Sequence, residues 1–562
     1  MLIALSAENE FRLRTRKGTS IMDDKKIITG QHCIEEYEQM TQSGWTRRRI
    51  LQALGVTGLM AATSGSLLGS VNAFADTNSE SSSAKTGGKI RVASLSSSTA
   101  DTLDPAKGAL STDYTRHYMV YNGLTKFDEH LVPHLELAQN ISNKGAKTWI
   151  ITLRKDVTFH NGKSLDAKDV VFSLERHKDP ATASKVMDLA KQMVSIKATG
   201  SHEVTIELNV PNAELPSIFA ISHMLIVPAD TQDFSQGIGT GPFKVKHFVP
   251  GMSTVVVRNE NYWKPGLPYL DEIELFAIPD EPSRVNALLA GEVHVINEVN
   301  PRSTQRIEKS ESHHYVNAPS GNYTDLIIRQ DLAPGNRPEF TEAMKLLLDR
   351  EQIKSAIFQD FAVVGNDTPI APSARYFNSE LKQTKFDPEK AKFLFKKAGL
   401  SGAKIPVVAS SAATSSVDIA VLLQQMAPQA GISVDVKVKP ADGYWSNHWM
   451  KHPLSFGNIN PRPNADIIFS QFFATHAAWN ESRWQNSAFD KLLVDARKET
   501  DDAKRNTMYA EMQTLVHDHC GIGIPVFISN IDGVDSRLKG YGTNPLGGFM
   551  GYMFAEKVWL DA

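Results

Sequence analysis

The first stretch of this chain with the makings of a catalytic loop runs from Thr152 to Pro180: TLRKDVTFHNGKSLDAKDVVFSLERHKDP. It sets a histidine, His160, beside an Asn-Gly pair and follows it with acids and bases, and an imidazole among carboxylates can move protons. The surrounding pattern argues for architecture instead. Thr152 and Leu153 end an alternating apolar run from Trp149, Asn161-Gly162 is a strong turn signal, and Asp166 caps a helix with Ala167, Val170, Val171 and Leu174 on its buried face. Asp169, three residues past the cap, complements the free N–H groups there. No second histidine or cysteine stands nearby at ligand spacing.

Two other stretches invite chemistry. His517 to Cys520, HDHC, packs three metal-ligand types into four residues, but it closes an amphipathic pattern of Met508, Met512, Leu515 and Val516 just before Gly521. Histidines suit the negative end of such a helix. Gly237 to Pro242, GIGTGP, lacks the Lys-Ser/Thr of a phosphate loop and reads as a turn into a strand. With no G-x-S-x-G, Walker, H-E-x-x-H or Cys-x-x-Cys sequence, the expectation is no enzyme, no metal and no cofactor.

The elements that must position any site fill 562 residues, too many for one ordinary core. A formal net charge of −3 excludes a polyanion partner, so no nucleic acid is expected. Arg47, Arg48 and Arg49 precede a weakly apolar run from Ala53 to Val71 and then Ala73-Phe74-Ala75. That order is a cleavable signal peptide, and the paired arginines before Ile50-Leu51 resemble a twin-arginine export address. The signal is placed over 1–75, with Met22 as an alternative start, and a flexible leader over 76–88. Short strands then alternate with helical patterns, an α/β arrangement.

Five ordered blocks carry a family resemblance. They are TLDPAKG, Gly239 to Val295 with Asn259 to Trp263 as N-x-x-Y-W, FTEAMKLLLDREQI, FDPEKAKFLFKKAGL, and Phe489 to Val516, and YNGLTKFDEHLVPHLELAQ with the His160 segment adds to them. In these the chain resembles family 5 extracytoplasmic solute-binding proteins, the dipeptide, oligopeptide and nickel class serving ABC importers. The resemblance implies a two-lobed periplasmic-binding-protein fold, type II, large cluster. Lobe I would comprise 86–126, 228–322 and 521–562, an extra subdomain 127–227, and lobe II 323–520. Ligand would be enclosed by hinge closure, and a monomer in the periplasm would deliver it to an ABC permease.

Relatives that bind peptides carry Gly-Trp-x-Ala-Asp in lobe II, whose acid meets the peptide amine. Here the stretch is LSFGNINPRPNADIIFSQFF: Gly457 aligns, Asn458 or Ile459 takes the indole position, and Pro461-Arg462 the acid. A slipped alignment would substitute Asp466. Asn458, Ile459, Asn460 and Arg462 are therefore expected at the ligand, with Arg462 either complementing an anion or serving as a structural fork. Trp445 and Trp479 are the preferred indoles, with Trp449 and Trp484 packed. From lobe I, Ala109, Leu110, Ser111 and Thr112 match a ligand-facing loop, and Asn322-Tyr323 begins the hinge. The ligand expected is peptide-like or opine-like, with a nickel chelate, a sugar-phosphate conjugate or a chaperone-like adaptor role as alternatives. Replacing Arg47 and Arg48 by lysine is expected to leave an uncleaved cytoplasmic precursor on a fractionation blot; normal export of that variant would contradict a twin-arginine address.

Overall fold

Two long antiparallel strands, His313–Ile328 and Val526–Asp535, run through both halves of the chain. In the computed structural model, residues 84–229 and 231–561 are described. The export signal over 1–75 and most of the leader over 76–88 lie outside the described residues.

At one end Val295–Ile296 pairs with Val534 and Gly533, and Lys89–Ser94 lies parallel beside it. Glu272–Ala277, Ser253–Arg258 and Phe243–Val249 follow in that order. At the other end Leu454–Ile459 pairs with Tyr323 to Ile328, and Lys404–Ala409 and Ser433–Val438 continue the sheet. One twelve-stranded sheet thus spans both lobes. Val526–Asp535 is buried at eight of ten positions, as expected where both faces of a strand are covered.

The ladder between the long strands breaks register between Ala318 and Asn322. There the Ser320 hydroxyl donates to the Ile528 carbonyl (2.7 Å) and accepts from the Asn322 N–H (3.0 Å), taking over for regular backbone pairing. The first crossing therefore falls at 318–322 and the second at its partners, 528–530. The sequence put the second near 520. Gly523 still pairs with Leu326, and Phe527 with Val363, so these residues remain bound to lobe II.

The subdomain builds its own core. Ala138–Lys144, Thr148–Leu153, Glu203–Leu208 and Met193–Gly200 form a four-stranded sheet, with Trp149, Ile151, Leu153 and Ile206 packed against Val170 and Leu174 of helix Ala167–Glu175. Asp166 caps that helix, accepting from the Lys168 and Asp169 N–H groups while Asp169 accepts from the Asp166 N–H. The subdomain also reaches lobe II. The Ala213 N–H donates to the Arg497 carbonyl (2.7 Å), and buried Glu214 Oε1 lies 3.2 Å from Arg505 Nη1.

His160 is a fastener. Its Nε2 donates to the Gly241 carbonyl (3.0 Å), its Nδ1 accepts from the Gly239 N–H (3.3 Å), and its own N–H donates to the Gly239 carbonyl (2.8 Å). Burial pulls its pKa down to about 4, so the ring is neutral. The glycine-rich loop it grips lies against the Val120–Tyr121 backbone, where a Cβ on Gly239 or Gly241 would collide. Close approach, and not a phosphate, explains those glycines. Likewise HDHC ends helix Asp502–His519, with His517 spent on Thr384 Oγ1 (2.8 Å) and Asp518 (2.6 Å). His160→Ala should lower stability by about 1–3 kcal/mol in denaturant titration, from buried groups left unpaired. Solute affinity should change less than about tenfold by calorimetry; a larger loss with the fold intact would put His160 at the site.

Candidate solute-binding cleft

The first-lobe wall begins with a capping arrangement. Helix Ser111–Val120 places Asp113 so that its carboxylate accepts from the N–H groups of Ala109 (3.0 Å), Leu110 (3.2 Å) and Thr102 (3.1 Å). Buried Arg116 bonds the same carboxylate at 2.7 Å and Asp101 at 3.3 Å. The loop of Ala109, Leu110 and Ser111 is thereby fixed facing a cavity of about 740 Å³. Across it stand Asn460, Arg462 and Trp479 from lobe II, with Asn322 at the crossing.

Two expected residues face elsewhere. Thr112 is buried and its Oγ1 donates to the Ser96 carbonyl (3.0 Å). Tyr323 is 1% exposed and packs edge-on against Phe527, because consecutive strand residues point to opposite faces and Asn322 takes the cavity side. Asn458 works between the two: its Nδ2 donates to Asn322 Oδ1, the Tyr323 carbonyl and Thr324 Oγ1 at 3.1–3.2 Å.

A second hollow of about 400 Å³ is lined by Trp445, Trp449, Phe472, Trp479, Asn458 and Ile459, and shares Asn460, Arg462 and Trp479 with the first. Its rings form a chain: Trp445 meets Trp449 at 5.7 Å, Trp449 meets Trp479 at 6.4 Å, and Phe472 meets Trp479 at 5.4 Å. Trp445 and Trp479 are 41% and 43% exposed, whereas Trp484 is packed. Trp449 was expected to be only packed, yet it lines the hollow. Its spacing from Trp445, one helical turn, was the available signal.

Arg462 turns its guanidinium toward Gln471 Oε1 (2.8 Å) and the Asn460 carbonyl (2.9 Å), over the Phe472 ring. All these partners are neutral, and Nη2 donates to nothing among the described residues. Burial lowers its pKa, with no carboxylate to restore it. Asp466, the alternative acid, is committed to Arg497 at 2.9–3.0 Å and is buried. The charge facing the solute at this position is therefore positive.

Beneath the indoles, Trp449 Nε1 donates to Glu481 Oε1 (2.6 Å), and Glu481 and Asp325 converge over Gly457, where a Cβ would collide with both carboxyl groups. Burial raises Asp325 to about 7 and holds Glu481 well above the carboxylate range, with the Asp325 charge adding to the rise.

A family model described as bacterial extracellular solute-binding proteins, family 5, matches residues 132–481, and the chain belongs to that family. It is 25% identical to Heme-binding protein A of Haemophilus influenzae over 474 residues, covering 76% of this chain and 85% of that protein. It is also 25% identical to the dipeptide-binding protein of Escherichia coli over 469 residues, 76% and 87% of the two chains. The structure of DppA from Helicobacter pylori in complex with peptide STSA superimposes with a TM-score of 0.70 at 23% identity, covering 85% of this chain and 99% of that one. The fold is the two-lobed one of that family.

The buried acid pair makes stability depend on pH. The folded chain keeps protons that the unfolded chain releases near pH 4, so stability falls as pH rises from about 4 to 7. Asp325→Asn should make that decline in Tm shallower while buried Glu481 keeps its own share; an unchanged slope would mean that Asp325 does not hold a proton.

Proposed function

We propose that this chain is the periplasmic solute-binding component of an ABC importer, taking a peptide-like or opine-like solute with an anionic group at Arg462 and apolar or planar parts among the indoles. The observation that carries the ligand class is the half-buried guanidinium without a carboxylate partner in a cavity walled by both lobes. A closing cleft strips water from that charge, and a carboxylate or phosphate restores the lost interaction through paired N–H donors. Family membership supports binding without turnover, release of the solute unchanged, and capture of the closed form by a permease. The basic signal preceding Ala75 supports export of a monomer to the periplasm through the twin-arginine machinery.

Site membership follows the same logic. Ala109, Leu110, Ser111, Asn322, Asn460, Arg462 and Trp479 contact the solute in the main cavity, and Trp445, Asn458 and Ile459 in the aromatic hollow. A thermal-shift screen of peptides, opines, glutathione-like conjugates, amino acids and nickel chelates, followed by calorimetry, tests the assignment. Arg462→Ala should weaken the best hit by about 1.5–3 kcal/mol, and Arg462→Lys should recover only part because a point charge lacks the planar fork. Tight binding of unmodified dipeptides that ignores Arg462→Ala would overturn the anionic-group assignment and leave the receptor reading in place.

A further inference from the structure

The first lobe carries a charge opposite in sign to Arg462. Glu298 follows strand Val295–Ile296 with φ at 52°, a left-handed backbone that a glutamate rarely adopts. Arg284 holds it there. Fully buried, its guanidinium donates to the carbonyls of Asn297 (Nε, 3.0 Å), Glu298 (Nη2, 3.0 Å) and Ile278 (Nη1, 2.7 Å). Unusual backbone held by surrounding structure is a mark of functional positions.

The consequence is a carboxylate set into the interlobe cavity with no hydrogen bond or ion pair from any described residue. Glu298 is the only carboxylate among the described residues lining that cavity. Its surface is open to the void, although protein surrounds it closely enough that desolvation lifts its pKa against the opposing pull of the Arg284 charge. Asn530, nine-tenths buried on the crossing strand, lines the same cavity, and its side-chain Nδ2 has no partner among the described residues. Of the cavity's cations, Lys185 forms no ion pair with Glu298, and Arg462 belongs to the opposite lobe. Glu298 and Arg462 form no ion pair with each other.

We propose that Glu298 receives a cationic amine of the solute while Arg462 receives its anionic group, so that the solute is a zwitterion spanning the two lobes. This rests on the receptor reading above and narrows its ligand class. A purely anionic solute would satisfy Arg462 and leave Glu298 desolvated and repelled when the lobes close, whereas an ammonium at the other end of the ligand relieves it. The lobe II wall of this cavity presents Arg462 and no carboxylate, and Glu298 supplies a negative charge from lobe I. Asn530 then offers a neutral donor to a carbonyl or carboxylate of the same ligand.

The test is calorimetry on the mature chain with matched probes: di- and tripeptides and carboxyalkyl amino acids with a free amine, and each compound's N-acetylated counterpart. Free-amine compounds should bind, and N-acetylation should weaken wild-type binding by about tenfold or more. In Glu298→Gln the free-amine compounds should lose a similar factor, and N-acetylation should then matter by less than about twofold. The wild-type comparison needs no variant, so it decides even if Glu298→Gln does not fold. Equal binding of the acetylated forms, or free-amine binding untouched by Glu298→Gln, overturns the amine site and leaves the receptor reading standing. Silence of the whole panel toward wild type overturns both.

Discussion

Everything in this protein hangs on one antiparallel ladder, His313–Ile328 against Val526–Asp535, and on the place where its register fails. A continuous ladder would bind the two halves of the sheet into one stiff plate. The slip between Ala318 and Asn322, with the Ser320 hydroxyl standing in for backbone partners, is where the ladder departs from regular pairing while its strands stay joined. A bend taken up at a few such residues is how hinge closure spares the packed cores on either side. Asn322 and Asn530 stand at this slip and also line the cavity, so hinge and ligand wall share residues.

Closure is then a matter of charge as much as shape. Arg462 and Glu298 enter the same cavity from opposite lobes, neither in an ion pair among the described residues, and a charge without a counter-charge resists losing its water. A ligand that supplies both counter-charges turns that resistance into selectivity, since a wrong ligand leaves at least one charge stranded. The subdomain adds a contact of its own through Glu214 and Arg505 and the Ala213–Arg497 backbone bond. These contacts tie the segment 127–227 directly to lobe II.

Local architecture was legible in the sequence because local physics determines it. The Asp166 cap, the Asn161-Gly162 turn and the helix ending at HDHC each depend on neighbours within a few residues. The family resemblance brought the loop at Ala109 and the stretch at Arg462 to the same cavity, and the indole clusters pointed to the aromatic hollow. What escaped was set by partners distant in sequence. Tyr323 and Thr112 were placed at the ligand by resemblance, and strand alternation and helix phase, in which one residue of offset reverses a side chain's direction, turn them away from it. The crossing expected near 520 moved to 528–530 because the short pairings of Ile522–Gly523 and Ala362–Val364 cannot be read from composition. Glu298 gave no signal at all, since its backbone conformation is held by Arg284 gripping four carbonyls from two stretches distant in sequence, and its lack of an ion pair among the described residues shows only in the folded chain.

The central claim is that the two lobes close about the broken ladder when a solute bridges their opposed charges. Small-angle scattering of the mature chain, alone and saturated with the tightest hit of the solute screen, tests this most directly. The account predicts a smaller radius of gyration with ligand for the wild type and a reduced change for Arg462→Ala at equal occupancy. An unchanged radius at saturation would contradict it.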